Sequence, residues 1–299
     1  MIELSGVSCG LICTGRASRL RVEVVGGRGW YRRGVQVDEL RGEAAVVVHA
    51  VRDALQVIAD RTDSDQVTQK GRLDVATGTD VRSQEVIRTQ LAQAFPQHAF
   101  VGEEEGRDAA PSSESYWLVD PICGTWNFVS RIPLCCVNVA LVEAGRVVLG
   151  VVGDAGTGEI WVAERGRAAW LLTGDTLHRT RAMADSSIFV LAPGRRSGAE
   201  GVSRASVVAE AVRHGHWELR MLGSTVDLAY LAAGRVAGVW HPNTTAPLHF
   251  AAGTFVASEA GAVVTDEAGL PWGLSSTSLV AAATTEVHAA LLGLVAAGH

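Results

Sequence analysis

Leu118-Val119-Asp120-Pro121-Ile122-Cys123-Gly124-Thr125-Trp126-Asn127-Phe128 is the stretch on which the reading of this chain turns. It leaves an aromatic and aliphatic run at 116–119 and enters a glycine-containing turn carrying a carboxylate, a thiol and a hydroxyl. Three further segments, 136–143, 147–152 and 159–164, alternate or are β-branched and read as strands between glycine turns. Upstream, Leu40, Ala44, Val47, Val51, Leu55 and Ile58 recur at helical spacing, which predicts a helix over 38–60 with Asp38 as its N-cap. A second helical pattern, 82–95, follows a loop holding Lys70, Asp74, Thr77 and Asp80. Downstream, strands at 188–191, 238–240, 262–265 and 279–282 and a short one at Leu219 alternate with helices at 199–213, 225–233 and 249–259. The first half is therefore α+β and the second α/β with a mixed sheet. Three segments are expected: an extension, 1–37, whose period-2 run at 19–25 suits a hairpin, then 38–183 and 184–299.

Composition sets the outer limits. With 299 residues, 47% hydrophobic and 19% charged, the chain can bury one large core or two adjoining ones. No apolar run spans a bilayer and no secretory leader is evident, so a cytoplasmic protein without a membrane partner is expected. A net charge of −6 argues against a nucleic-acid partner. The cysteines, Cys9, Cys13, Cys123, Cys135 and Cys136, are odd in number and read as reduced thiols. Lys70 is the single lysine among 26 basic residues. An ammonium on a long stem can meet a phosphate or, desolvated, act as a base, although a solvated loop lysine is equally ordinary.

The quoted stretch resembles the D-P-I-D-G-T-x-N-F signature of the inositol monophosphatase superfamily, with Cys123 at the second aspartate. The likeness extends in order along the chain. Lys70 through Asp80 is similar to the family's early loop with its T-x-x-D element, and Gly102-Glu103-Glu104 to its G-E-E motif. The segment from Arg220 to Arg235 resembles part of the substrate pocket, and Leu248-His249-Phe250-Ala251-Ala252-Gly253 stands where the family has W-D-x-A-A-G. The resemblance implies a layered αβαβα sandwich of the inositol monophosphatase and fructose-1,6-bisphosphatase type, a small-molecule substrate and a homodimer.

It also implies roles. Clustered carboxylates hold magnesium ions that neutralise a phosphate monoester and acidify a water. Positions matching Glu103, Asp120 and the Ile122 carbonyl hold one ion; Asp120 and the positions now occupied by Cys123 and His249 hold the other. Asp80 and Thr125 match the pair that orients the attacking water, and Gly124, Thr125, Gly223, Ser224 and His241 fall among substrate-contacting positions. Ala237 and His241 stand where acidic residues contact substrate hydroxyls, which argues against an inositol-type polyol, while Trp126, Trp240 and His241 would make the pocket more aromatic.

Both substitutions strike one ion, and magnesium discriminates against thiolate and imidazole. Three readings stay open. Asp120, Cys123 and His249 form a site for zinc or a similar metal; Cys123 and His249 form a metal-free thiolate–imidazolium pair; or the site has decayed, with Asp120 bracing its own turn by accepting backbone hydrogen bonds. The expectation drawn is a remodelled enzyme of cyclase, lyase or transferase type, acting on a small metabolite in specialised biosynthesis through Cys123, His249, Lys70 and the retained acids. The alternatives are a phosphomonoesterase for a small sugar, inositol or nucleoside phosphate using one magnesium or an exchanged metal, and a non-catalytic binding protein.

Overall fold

The computed structural model describes residues 35–36, 40, 42–61, 67–71, 74–104, 113–192 and 198–298, within a compact unit running from Tyr31 to His299. The helices are α1 (Gly42–Ala59), α2 (Gly78–Ala94), α3 (Thr125–Val129), α4 (Gly198–His214), α5 (Val226–Ala232), α6 (Ala251–Glu259) and α7 (Thr285–Gly298). The first strands are β1 (Val35–Gln36), β2 (Val67–Gly71), β3 (Asp74–Thr77), β4 (Ala99–Gly102), β5 (Ser115–Cys123), β6 (Cys136–Glu143), β7 (Arg146–Asp154) and β8 (Ile160–Glu164). The rest are β9 (Trp170–Thr173), β10 (Thr176–Arg179), β11 (Ile188–Leu191), β12 (Glu218–Arg220), β13 (Gly238–His241), β14 (Val263–Thr265) and β15 (Leu279–Ala282).

Two sheets carry the fold. The larger has the order β1-β10-β9-β8-β7-β6-β5-β4 and the smaller β12-β11-β13-β15-β14, while β2 and β3 form a separate hairpin. Alternation along each strand feeds two cores. In β5, Trp117 and Val119 face α1 and α2, where they meet Val47, Val51, Ile87 and Leu91. Leu118 faces the other way, into the core shared with α5 and α6. That middle core also takes Val190, Val239 and Ala281 from the smaller sheet. Phe189, Leu191, Trp240 and Val280 turn outward to α4 and α7. The layers are thus helix, sheet, helix, sheet, helix, the αβαβα sandwich expected. Residue 183 lies between β10 and β11, where the chain passes from one sheet to the other. Among the described residues no helix is long and apolar enough to cross a membrane.

Strand β7 lies between two helices at very short range. A Cβ on Gly150 would sit 2.8 Å from the Ala252 carbonyl oxygen of α6, and one on Gly153 would sit 2.5 Å from Val51 of α1. Being an odd number of residues apart, the two glycines open opposite faces. Ala140 and Ala163, the cross-strand neighbours of Gly150, continue the shallow row on which α6 rests.

Several boundaries differ from the sequence expectation. The first helix begins at Gly42, with Leu40 ahead of it; Asp38 and the expected hairpin in 1–37 lie outside the described residues, apart from β1. The second helix begins at Gly78 rather than 82, because Thr77 and Asp80 cap each other reciprocally and start it inside what reads as a loop. Lys70 falls on β2 and Asp74 and Thr77 on β3. β5 continues through Asp120 to Cys123. Strands β4, β9 and β10 and helices α3 and α7 are additions to the expected set. Helix α6 starts at Ala251, leaving His249 in a 3-10 turn, Pro247–His249, where the prolyl ring suits the first position.

Candidate active site

The site begins with a β-bulge. Asp120 pairs with Asn138 and Cys123 with Cys136, so one extra residue is inserted in β5 between them. In a regular strand side chains three apart face opposite ways; the bulge brings Asp120 and Cys123 to the same face, beneath α5 and the 3-10 turn. Pro121, which has no N–H to offer the ladder, fits this irregularity, and its carbonyl accepts a 3.1 Å bond from the Ser83 hydroxyl of α2. Asp120 braces the bulge as well, its Oδ1 accepting the Ile122 N–H at 3.1 Å. The parallel strand β4 ends beside β5, where the Glu103 N–H donates to the Val119 carbonyl at 3.2 Å. Gly102 makes this approach feasible, since a Cβ there would sit 2.2 Å from Gln84 Oε1. That same oxygen accepts the Glu104 N–H at 3.0 Å and pins the turn to α2.

His249 enters from the middle layer. Its Nδ1 lies 2.5 Å from Asp120 Oδ2 and 4.0 Å from Glu103 Oε2, so the imidazole stands between two carboxylates. Desolvation opposes a charged ring here, but the Asp120 carboxylate outweighs it and holds the His249 pKa well above its ordinary value. Asp120, Cys123 and His249 each offer a ligand atom, all within 4.8 Å of one another. Cys123 is buried, and its Sγ accepts bonds from the Thr225 hydroxyl at 3.0 Å and the Thr225 N–H at 3.4 Å. The Thr225 oxygen in turn accepts from Asn138 Nδ2 at 3.1 Å, which directs its proton to the sulfur. Contact with the Cys136 thiol, burial and the Asp120 charge push the Cys123 pKa well up. A free thiolate at neutral pH, which the metal-free pair requires, is thereby disfavoured.

On the other side stands the Asp80–Thr125 pair. Asp80 Oδ2 accepts the Thr77 N–H at 2.8 Å and the Thr77 hydroxyl at 2.5 Å. Its Oδ1 lies 3.3 Å from the Thr125 hydroxyl, which is also 3.1 Å from the Ile122 carbonyl. Asp80 is 1% exposed, and burial raises its pKa to about 6 against the lowering effect of the Thr77 bonds. Because the folded value lies above the ordinary 3.8, Asp80's contribution to stability is complete below pH 3.8 and is lost as pH climbs through about 6. Thr77→Val deletes one bond to the ionised form. In metal-free protein, the Asp80 carboxyl titration followed by ¹³C NMR should therefore move up from about 6. An unchanged or lower midpoint would contradict this balance.

The remaining expected residues divide. Gly124, with φ +97°, packs so tightly that a Cβ would come within 2.9 Å of the Leu134 carbonyl and 3.0 Å of Ser224 Cβ. Gly223 is likewise left-handed, at φ +68°, beside Asn127, whose amide donates to the Leu134 and Leu222 carbonyls at 2.7 Å each. The Ser224 hydroxyl donates to the Cys123 carbonyl at 3.0 Å, so it serves the bulge. His241 is buried, its Nε2 2.9 Å from Asp227 Oδ2, which engages the ring from inside the fold. Trp240 does not line the pocket as expected; it belongs to the outer core, its indole N–H bonded to Glu267 at 2.6 Å. The Lys70 side chain lies outside the described residues. Thr225 and Asn138 are site neighbours missed by sequence reasoning, although alternation in β6 places Asn138 on the face of Cys136.

Comparison with known proteins agrees with this fold. A family model described as "Inositol monophosphatase family" matches residues 37–298. An inositol-1-monophosphatase of Mesorhizobium japonicum is 34% identical over 223 residues, 72% of this chain and 81% of that protein. The Nus factor SuhB of Escherichia coli K12 is 30% identical over 227 residues, 75% and 85% of the respective chains. Among solved structures, SuhB from Bartonella henselae superposes with a TM-score of 0.72 at 26% identity, covering 84% of this chain and 96% of its own. The Thermotoga maritima IMPase gives 0.70 at 25%, covering 84% and 95%.

Proposed function

The chain belongs to the inositol monophosphatase family, and from that premise we propose that it is a phosphomonoesterase acting on a small phosphorylated metabolite with one magnesium ion held by Glu103, Asp120 and the Ile122 carbonyl. The observation that carries this reading is the conjunction of that oxygen donor set with the Asp80–Thr125 pair at the same end of β5. Two carboxylates and a carbonyl are the donors a hard cation prefers. When bound there, magnesium neutralises phosphate charge and acidifies a coordinated water.

The protein's own groups supply the rest. Thr125 shares one hydroxyl proton between Asp80 and the Ile122 carbonyl, which leaves its oxygen free to accept from a water and orient it. Asp80, with a pKa of about 6, is ionised at neutral pH and takes the proton that water loses. Cys123 and His249 do not suit a second magnesium ion, and no step is assigned to one. The named relatives, and the Cys136 contact, burial and neighbouring charge that raise the Cys123 pKa, favour hydrolysis over the cyclase, lyase or transferase chemistry expected from the substitutions alone.

Purified full-length protein with magnesium is expected to release inorganic phosphate from at least one member of a panel of sugar, inositol and nucleoside monophosphates. Chelation should reduce release to background and added magnesium should restore it. Release no greater than that of an Asp120→Asn variant across the whole panel would overturn the proposal.

A further inference from the structure

We propose that Asp120, Cys123 and His249 form a binding site for a zinc-like divalent cation, beside the magnesium position and different from it in preference. One carboxylate oxygen, one sulfur and one imidazole nitrogen make a borderline-soft donor set that suits zinc and discriminates against magnesium. The three ligand atoms lie within 4.8 Å of one another. Zinc bonds of about 2.0–2.3 Å place ligand atoms roughly 3–4 Å apart, so side-chain adjustment on a fixed backbone closes the site. The 2.5 Å His249–Asp120 contact opens as the proton between them gives way to the ion. Three protein ligands leave a fourth, open position, the arrangement of zinc sites that meet a substrate or water.

A second observation points the same way. Thr225 aims both its N–H and its hydroxyl at Cys123 Sγ, and Asn138 fixes the direction of that hydroxyl. Donors converging on a sulfur are what a metal-bound thiolate takes as outer-sphere support. Loading is balanced by two protons released to solvent, one from the Cys123 thiol and one from between His249 and Asp120.

The test reads metal uptake without turnover. A protein that takes up zinc here yet releases no phosphate would sink the phosphatase reading and leave this one standing, and the converse would do the reverse. Metal-free full-length protein is titrated with zinc against a chromophoric chelator, then with cobalt(II) as a spectroscopic substitute. Expected are one tightly held zinc per chain that a large excess of magnesium fails to displace, and a near-ultraviolet thiolate-to-cobalt band. Cys123→Ser should abolish the band, and Thr225→Val should weaken zinc binding by about 10–100-fold. Circular dichroism verifies that each variant is folded. A Cys123→Asp/His249→Asp double variant should lose the band and bind an additional magnesium. Absence of stoichiometric zinc in the folded parent, or a band that survives Cys123→Ser, would overturn the proposal.

Discussion

Asp80→Asn should lower kcat by about 10²–10⁴-fold, the range lost when a positioned general base is removed, with little change in KM. The amide is nearly isosteric and keeps an oxygen for the Thr77 bonds, so the variant should fold and bind substrate. It cannot accept the proton of the water that Thr125 orients. Stability should move the other way. Ionised Asp80 is buried at neutral pH against its own desolvation, so removing the charge should leave the variant at least as stable as its parent at pH 7. Steady-state kinetics on the substrate found in the panel, with parallel thermal melts, measure both effects. A kcat within tenfold of the parent would remove Asp80 from the role of base.

Gly150→Val should destabilise the protein by about 1–3 kcal/mol or more, although valine is the better strand former. At this position intrinsic preference loses to space. The new side chain would start 2.8 Å from the backbone carbonyl of Ala252, which cannot swing aside as a flexible side chain can. Helix α6 cannot easily retreat, because Gly253 on its other side already abuts Leu228 of α5, where a Cβ would sit 2.9 Å away. At roughly 2–4 °C per kcal/mol, the melting temperature should fall by about 2–12 °C. Metal affinity at Asp120, Cys123 and His249 should weaken with it, since the turn bearing His249 leads directly into α6. An unchanged or raised melting temperature would show that the layers have slack there.

What the sequence reveals follows the range of the forces involved. Strands such as Cys136–Glu143 and Leu279–Ala282 are legible to the residue because both faces are buried and the apolar run ends at turn residues. The early start of α2 is hidden, since Gly78 and Thr79 are poor helix formers and only the Thr77–Asp80 reciprocal cap launches it. The β9–β10 hairpin carries a local signal, Gly174-Asp175 between two β-rich runs. Most of the ligand set is legible through motif order. The partners of Cys123 are not, because Thr225 is 102 positions away and reaches the sulfur only through the packing of α5 on β5. The engagement of His241 by Asp227 is hidden for the same reason.

The bulge in β5 separates presentation from identity. What turns position 123 toward position 120 is an extra backbone residue, a proline and a carboxylate that grips its own chain, none of which depends on the atom at the end of the side chain at 123. A donor held this way can be exchanged, oxygen for sulfur, without refolding anything around it. Positions such as Gly102 and Gly150, where the contact begins at the backbone itself, have no comparable latitude. The scaffold thus behaves as a socket with interchangeable pins: drift in ligand chemistry is open at 123 and 249, while the spacing that makes a site of them stays closed to it.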